Sequence, residues 1–240
     1  MAELVDALGL GSSVFMTWRF KSSYRHLEVD MIKVYDNWCT DEMLNLVSNT
    51  CCSNQMTWHL PTNPFSTVSH NWLERGLKDK RVINSHQMVH PVVIDGAIQL
   101  NSVLAPMMMS FLKEFFDHSL TGKLTSVEVA RIKVNLMHRQ PCKKKVFFNP
   151  PHTDPVERYL ENFPDLFPVV CLYYLNDSDG DTFFFDNYED LNIIERITPK
   201  AGRMVMFDNG IHHSSSPPQK SNARFVINSN VFLPFTVESL

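Results

Sequence analysis

In Val127-Glu128-Val129-Ala130-Arg131-Ile132-Lys133-Val134-Asn135-Leu136 apolar and polar residues alternate, strictly so from Ala130 onward. A period of two belongs to a β-strand whose faces meet different surroundings. Arg131, Lys133 and Asn135 share one face, which either lines the inside of a barrel or faces water. Further strand candidates follow at Val146 to Phe148, Val169 to Leu175, Thr182 to Phe185, Ile193 to Ile197, Met204 to Phe207 and Arg224 to Leu233. Turn signals such as NDSDGD and SPPQKSN separate them, and short strands at this density predict a β-sandwich or jelly roll.

Upstream the pattern changes. Met31 to Tyr35 is apolar and β-prone. It leads into DNWCTDEMLNLVSN, where Thr40 can cap a helix carrying Asp41 and Glu42 in its first turn, as the helix dipole favours. Residues 53 to 91 are irregular, with a short strand candidate at Met56 to His59. From Gly96 to His118 the apolar positions Ile98, Leu100, Leu104, Met107, Met108, Phe111, Leu112, Phe115 and Phe116 recur at helical spacing. This predicts a long helix, bent or restarted at Pro106. Met107 to Met109 read as core filling. Helices first and strands afterwards predict an α+β chain with helices packed on one face of the sheets. The expected organisation is a single domain over residues 1–240, with an N-terminal strand and helix elaboration over 1–122 and a jelly-roll core over 123–240.

With 44% hydrophobic and 20% charged residues, the 240-residue chain has the balance of a globular protein with a substantial core. A net charge of −4 argues against a main role in coating nucleic acid, which needs a basic excess. The one basic run, Lys143 to Lys145, reads as a solvated loop. Five cysteines with no C-x-x-C pair (Cys39, Cys51, Cys52, Cys142, Cys171) predict reduced thiols. The first residues carry early acids and no apolar run of membrane length, so the expectation is a cytoplasmic protein with no signal peptide or membrane span.

Chemistry concentrates in FFNPPHTDP. His152 and Asp154 lie just past a strand candidate that Pro150 and Pro151 end, and residues two apart point the same way on extended backbone. The doublet His212-His213 follows the Met204 to Phe207 strand through Asp208-Asn209-Gly210, with His213 59 residues after Asp154 (213 minus 154). Two imidazoles and one carboxylate on one face of a ferrous ion leave positions open for a co-substrate and dioxygen. From spacing alone either histidine of the doublet can complete the set. Arg224 opens RFVINSNVFL, 11 residues after His213 (224 minus 213). A guanidinium buried at a strand start needs a fixed anion, which a dicarboxylate beside the metal would supply.

His152-Thr153-Asp154, CLYYLND (171 to 177), DGDTFFF (179 to 185), PKAGRMVMFDNGIHHSSSPP (199 to 218) and Arg224-FVIN resemble, in order and spacing, the 2-oxoglutarate and Fe(II)-dependent dioxygenases of the prolyl 4-hydroxylase type. The compact phage and marine microbial members are the most alike. The likeness covers about residues 127 to 233, and VYDNWCTDEM is similar to the family's opening segment. It implies a double-stranded β-helix fold. It also implies iron ligands His152, Asp154 and His213, with Arg224 holding the distal carboxylate of 2-oxoglutarate and Tyr174 donating a phenolic hydrogen bond to the same carboxylate. His213 is chosen over His212 because Ser214, Pro217 and the spacing to Arg224 match the family. Two glycines often precede the family's threonine and aromatic strand, whereas this chain has Gly180-Asp181-Thr182.

The activity so implied is hydroxylation of a C–H bond with Fe(II), 2-oxoglutarate and O2, and ascorbate as an auxiliary reductant. The expected primary substrate is a prolyl residue in a peptide or protein, ahead of a small molecule or nucleobase. A different class is a non-catalytic jelly-roll protein that keeps a metal for structure. Such a site would close its coordination sphere with protein ligands rather than retain an anion-binding arginine nearby. The sequence names neither the substrate nor the oligomeric state, because specificity in such folds lies in loops, here the weakly patterned residues 50 to 95.

Overall fold

The computed structural model describes residues 32–53, 56–60, 79–99, 102, 104–119, 127–154, 166–187 and 189–234. Ten strands and two helices lie among them: β1 (Ile32–Tyr35), α1 (Asp41–Cys51), β2 (Met88–Ile94), β3 (Ala97–Ile98), α2 (Ala105–Ser119), β4 (Glu128–His138), β5 (Leu166–Tyr174), β6 (Thr182–Phe185), β7 (Ile193–Ile197), β8 (Met204–Asp208), β9 (His212–Ser215) and β10 (Ala223–Pro234). They form a seven-stranded sheet in the order β1-β8-β5-β10-β4-β2-β3 and a three-stranded sheet in the order β7-β6-β9. This is the jelly-roll arrangement expected from the strand pattern.

The antiparallel register of the large sheet decides which residues look inward. Val226 pairs with Asn135 on one side and Tyr174 on the other, Asn228 with Lys133 and Leu172, and Asn230 with Arg131 and Val170. Directly opposed residues project to the same face. Arg131, Lys133 and Asn135 therefore line the interior between the sheets, not the solvent side. Val170, Leu172, Tyr174, Val205, Phe207 and Val226 share that interior and pack with Phe184 of the small sheet.

The outer face of the large sheet is equally apolar. Ile132, Val134, Cys171, Tyr173, Met204, Met206, Ile227 and Val231 pack against Val47 and Cys51 of α1 and Met108, Phe111, Leu112, Phe115 and Phe116 of α2. Fully burying each such aromatic contributes about 1.5 to 3 kcal/mol. Tyr173, which neighbours Tyr174 but points the opposite way, meets Phe111 at 4.6 Å between ring centres. Thr40 caps α1, accepting a hydrogen bond from Met43 N at 3.2 Å.

Three expectations need correction. The long helix begins at Ala105, not at Gly96: residues 94–97 form a tight hairpin in which Asp95 (φ 49) and Gly96 (φ 70) take the left-handed conformations of a primed turn. Pro106 sits in the first turn of α2, where its missing N–H costs nothing. Val146 to Phe148 is not a strand; Phe148 makes an isolated parallel bridge to Val82. Met56 to His59 is likewise reduced to a single bridge between His59 and Val89, and residues 61 to 78 lie outside the described residues. All five cysteines are free thiols, and Lys143 to Lys145 are exposed. Strands β1 to β3, from the N-terminal half, are integral to the large sheet. Among the described residues no helix is long and apolar enough to cross a membrane.

Candidate metal and co-substrate site

The segment after Phe148 lies alongside β9. Asn149 N donates to Ser215 O, His152 N to His213 O, and His213 N to His152 O, each at 2.9 Å. His152 and His213 are thus directly opposed across a short antiparallel pairing, with ring centres 4.8 Å apart. Each Nδ1 lies against a backbone carbonyl two residues back, Pro150 O at 3.2 Å and Ile211 O at 3.1 Å. An Nδ1–H donated there leaves the Nε2 lone pair free, the second contact typical of ligating histidines.

Asp154 is 2% exposed. Its Oδ1 is 2.6 Å from Arg131 and 4.0 Å from His152 Nε2. Its Oδ2 accepts from Asn230 at 2.9 Å and Asn228 at 3.2 Å, and its backbone carbonyl accepts from Asn209 at 2.9 Å. One ligand atom from each of His152, Asp154 and His213 lies within 4.8 Å of the others. In the neighbouring doublet, His213 is buried beside Phe207 and Phe184, whereas His212 pairs with Phe185 on the opposite face of β9.

Charge within the cluster is arranged for a cation. Burial would raise the Asp154 carboxyl, but the charges of Arg131 and Lys133 hold it well below the ordinary carboxylate range. Burial pushes His213 down to about 3 and also lowers His152. Both rings are therefore neutral and Asp154 ionised at neutral pH, the protonation states that metal ligation requires. Among the described residues no hydrogen-bond donor serves the two imidazole Nε2 atoms, which converge with Asp154 Oδ1. A hard or borderline divalent ion fits this donor set, and with only three protein ligands it would keep open positions.

Further along the interior, Arg224 is 3% exposed. Its Nε donates to Gly180 O and its NH2 to Thr182 Oγ1, both at 2.8 Å, and the guanidinium lies 5.5 Å from the centre of the Tyr174 ring. Tyr174 Oη and Thr182 Oγ1 are 2.7 Å apart. Arg224, Tyr174 and Thr182 therefore form one buried polar cluster, and no carboxylate is bonded to the guanidinium among the described residues. Burial raises the Tyr174 phenol, so it remains a donor.

Gly180 is the hinge of this corner. A Cβ there would lie 2.6 Å from Ser216 O, 2.9 Å from Pro218 N and 3.1 Å from Arg224 Cδ. The single glycine in the Gly180-Asp181-Thr182 bend is thus required by close backbone approach. Asp179 secures the opposite side, accepting hydrogen bonds from the backbone N–H groups of Gln219, Lys220 and Ser221 at 3.0 to 3.3 Å.

Sequence reasoning did not single out Thr182, Asn228 or Asn230, nor Arg131 as the partner of Asp154. The signal was present in RFVINSNVFL, where two asparagines occupy the same inward face as Arg224.

A sequence profile described as the 2OG-Fe(II) oxygenase superfamily matches residues 138–232. This stretch contains His152, Asp154, Tyr174, Thr182, His213 and Arg224. Residues 138–232 are thus similar to the core of the 2OG-Fe(II) oxygenases. Enzymes of this superfamily are 2-oxoglutarate-dependent dioxygenases that require Fe(II), 2-oxoglutarate and O2. A 2OG-Fe(II) oxygenase family oxidoreductase from Burkholderia pseudomallei superposes with a TM-score of 0.57 at 13% identity, over 85% of this chain and 86% of that one. It shows the shared oxygenase fold. A prolyl-4-hydroxylase from Pseudomonas putida aligns with a TM-score of 0.44 at 14% identity over 85% of this chain and 92% of that one. A Trichoplax adhaerens prolyl hydroxylase, solved with a hypoxia inducible factor oxygen degradation domain peptide fragment, aligns with a TM-score of 0.45 at 16% identity over 87% and 85%. A search of curated proteins returns no match.

Proposed function

We propose that this protein hydroxylates an unactivated C–H bond at the expense of 2-oxoglutarate, with a prolyl residue of a peptide or protein as the substrate. In this reading His152, Asp154 and His213 hold Fe(II), while Arg224 and Tyr174 hold the distal carboxylate of 2-oxoglutarate. The observation that carries it is one interior containing both a three-ligand cluster and a buried guanidinium with no carboxylate partner among the described residues.

Ferrous iron bound there would supply the chemistry that couples oxidative decarboxylation of the keto acid, giving succinate and carbon dioxide, to hydroxylation of the substrate. The chain's own residues set the conditions. Asn228, Asn230 and Arg131 fix the Asp154 carboxylate in a single orientation, and the carbonyls of Pro150 and Ile211 fix both imidazoles. Arg224 is itself oriented by Gly180 and Thr182, so a dicarboxylate would meet a preorganised donor and lose little entropy on binding. Val170, Leu172, Val205 and Phe207 form a dry apolar wall that strengthens these charged contacts. The peptide-bound prolyl hydroxylase among the solved structures supplies the precedent for the substrate choice.

The test is iron- and ascorbate-dependent conversion of 2-oxoglutarate to succinate, with prolyl peptides screened for a mass gain of about one oxygen atom. Absence of turnover, together with no 2-oxoglutarate binding in the presence of Zn(II), would overturn the enzyme reading. Turnover with hydroxylation of a non-prolyl substrate would overturn only the substrate choice.

A further inference from the structure

Among the described residues, Lys133 is the interior cation that the proposed chemistry leaves unused. Its register partner Asn228 bonds Asp154 directly, so Lys133 projects from β4 into the same space as the metal cluster. Its charge is felt by Asp154, His152 and His213 alike. Its neighbour on that face, Arg131, is committed to Asp154 and to Asn230 Oδ1, the latter at 2.8 Å. Among the described residues no carboxylate or carbonyl accepts from Lys133 Nζ.

A partly buried ammonium with no hydrogen-bonded anion is unfavourable, and the Asp154 carboxylate, already engaged by Arg131, Asn228 and Asn230, offsets this only in part. Among the described residues three cations, Arg131, Lys133 and Arg224, thus face the interior, while Asp154 is engaged by Arg131 and the nearby buried Asp181 is paired with Arg196. A ferrous ion and a 2-oxoglutarate dianion would cancel each other on binding. They would leave the excess charge at Lys133 in place, on the same inward face as the asparagine that holds Asp154.

We propose that Lys133 receives a carboxylate of the primary substrate, so that the hydroxylated molecule carries an anionic group within one side chain's reach of the metal cluster. This rests on the 2-oxoglutarate reading above and narrows its substrate class. A prolyl unit with a free carboxylate, as at a peptide C-terminus, fits; an internal residue of a neutral peptide does not. The ammonium of Lys133 acts as a point charge that orients the substrate through one or two charge-assisted hydrogen bonds.

The probe pair is N-acetyl-L-proline and N-acetyl-L-prolinamide, which differ only in the anionic group. Their binding to the full chain loaded with Zn(II) and 2-oxoglutarate is measured by calorimetry or ligand-observed NMR, so no turnover is needed. The acid is expected to bind at least tenfold more tightly than the amide. Lys133→Met is expected to reduce that preference to within about twofold while changing 2-oxoglutarate affinity by less than twofold, and Lys133→Arg is expected to restore the preference. Equal binding of acid and amide by the unmodified protein would overturn the proposal, as would binding of neither while 2-oxoglutarate binds. A Lys133→Met variant that weakens 2-oxoglutarate itself would also overturn it, by assigning the lysine to the co-substrate. Failure of 2-oxoglutarate to bind at all would instead remove the reading on which the proposal stands.

Discussion

Gly180→Ala tests how the co-substrate corner is built. The added Cβ would stand 2.6 Å from Ser216 O and 2.9 Å from Pro218 N. Both are backbone atoms, which cannot rotate away as a side-chain tip would. Overpacking of this kind costs about 1 to 3 kcal/mol, and in a chain of this size each kcal/mol lowers Tm by about 2 to 4 °C. The variant should therefore melt roughly 2 to 12 °C lower in a thermal scan. Function should suffer more specifically. Relief of the clash moves the Gly180 carbonyl, which accepts from Arg224 Nε at 2.8 Å, so the guanidinium loses its positioning contact. Losing one hydrogen bond to a charged group costs about 1.5 to 3 kcal/mol, or roughly 10- to 150-fold in 2-oxoglutarate affinity. Metal binding at His152, Asp154 and His213 should be unchanged, because no contact of those residues involves Gly180. A variant with unaltered Tm and unaltered 2-oxoglutarate affinity would refute the claim that backbone proximity at Gly180 sets the arginine.

Three further outcomes are expected. His213→Ala should abolish Fe(II) or Zn(II) binding measured by metal analysis after dialysis, whereas His212→Ala should retain it; the opposite pattern would transfer the ligand role by one residue. Asp179→Asn should destabilise the fold by about 1 kcal/mol at pH 7 by weakening hydrogen bonds to the 219–221 backbone, and the gap between variant and parent should close on acidification. The sign follows from the direction of the shift: although burial opposes it, the backbone donors lower the Asp179 pKa in the folded state. Its contribution is thus complete above the unfolded value of about 3.9 and is lost as pH falls through the folded one; chemical denaturation at pH 7 and pH 3 measures both points. Cys51 and Cys171, buried, with the Cys51 thiol pushed up to about 12, should resist a thiol reagent until the protein unfolds, while exposed Cys52 reacts in the native state.

The strands were legible where apolar and polar residues alternate, as in β4, or where aromatics crowd together, as in β6. The α1 cap was equally legible, because Thr40 followed by two acids has few other uses. The early start assigned to the second helix came from Ile98, which happens to continue the helical spacing of α2 but belongs to β3. The Asp95-Gly96 dipeptide was the available warning, since left-handed backbone at two successive residues closes a hairpin. At the site, His152 and Asp154 stood out because residues two apart must share a direction. Which histidine of the doublet turns inward depends on the register of β9 against β6, and sequence spacing does not set that register. Lys133 was ambiguous for a related reason: alternation reveals that a strand has two faces, and only pairing with Asn228 reveals which of them is inside.

Strand β10 carries Arg224 at one end and the two asparagines that hold Asp154 further along. Four residues of antiparallel strand separate Arg224 from Asn228, a rigid span of about 13 Å between Cα atoms. On the reading proposed above, both ends of the co-substrate would be referred to one strand, and β10 would act as a gauge of its length. A keto diacid shorter or longer by one methylene is then expected to bind more weakly than 2-oxoglutarate. The choice of co-substrate length would be set by the spacing along a single strand.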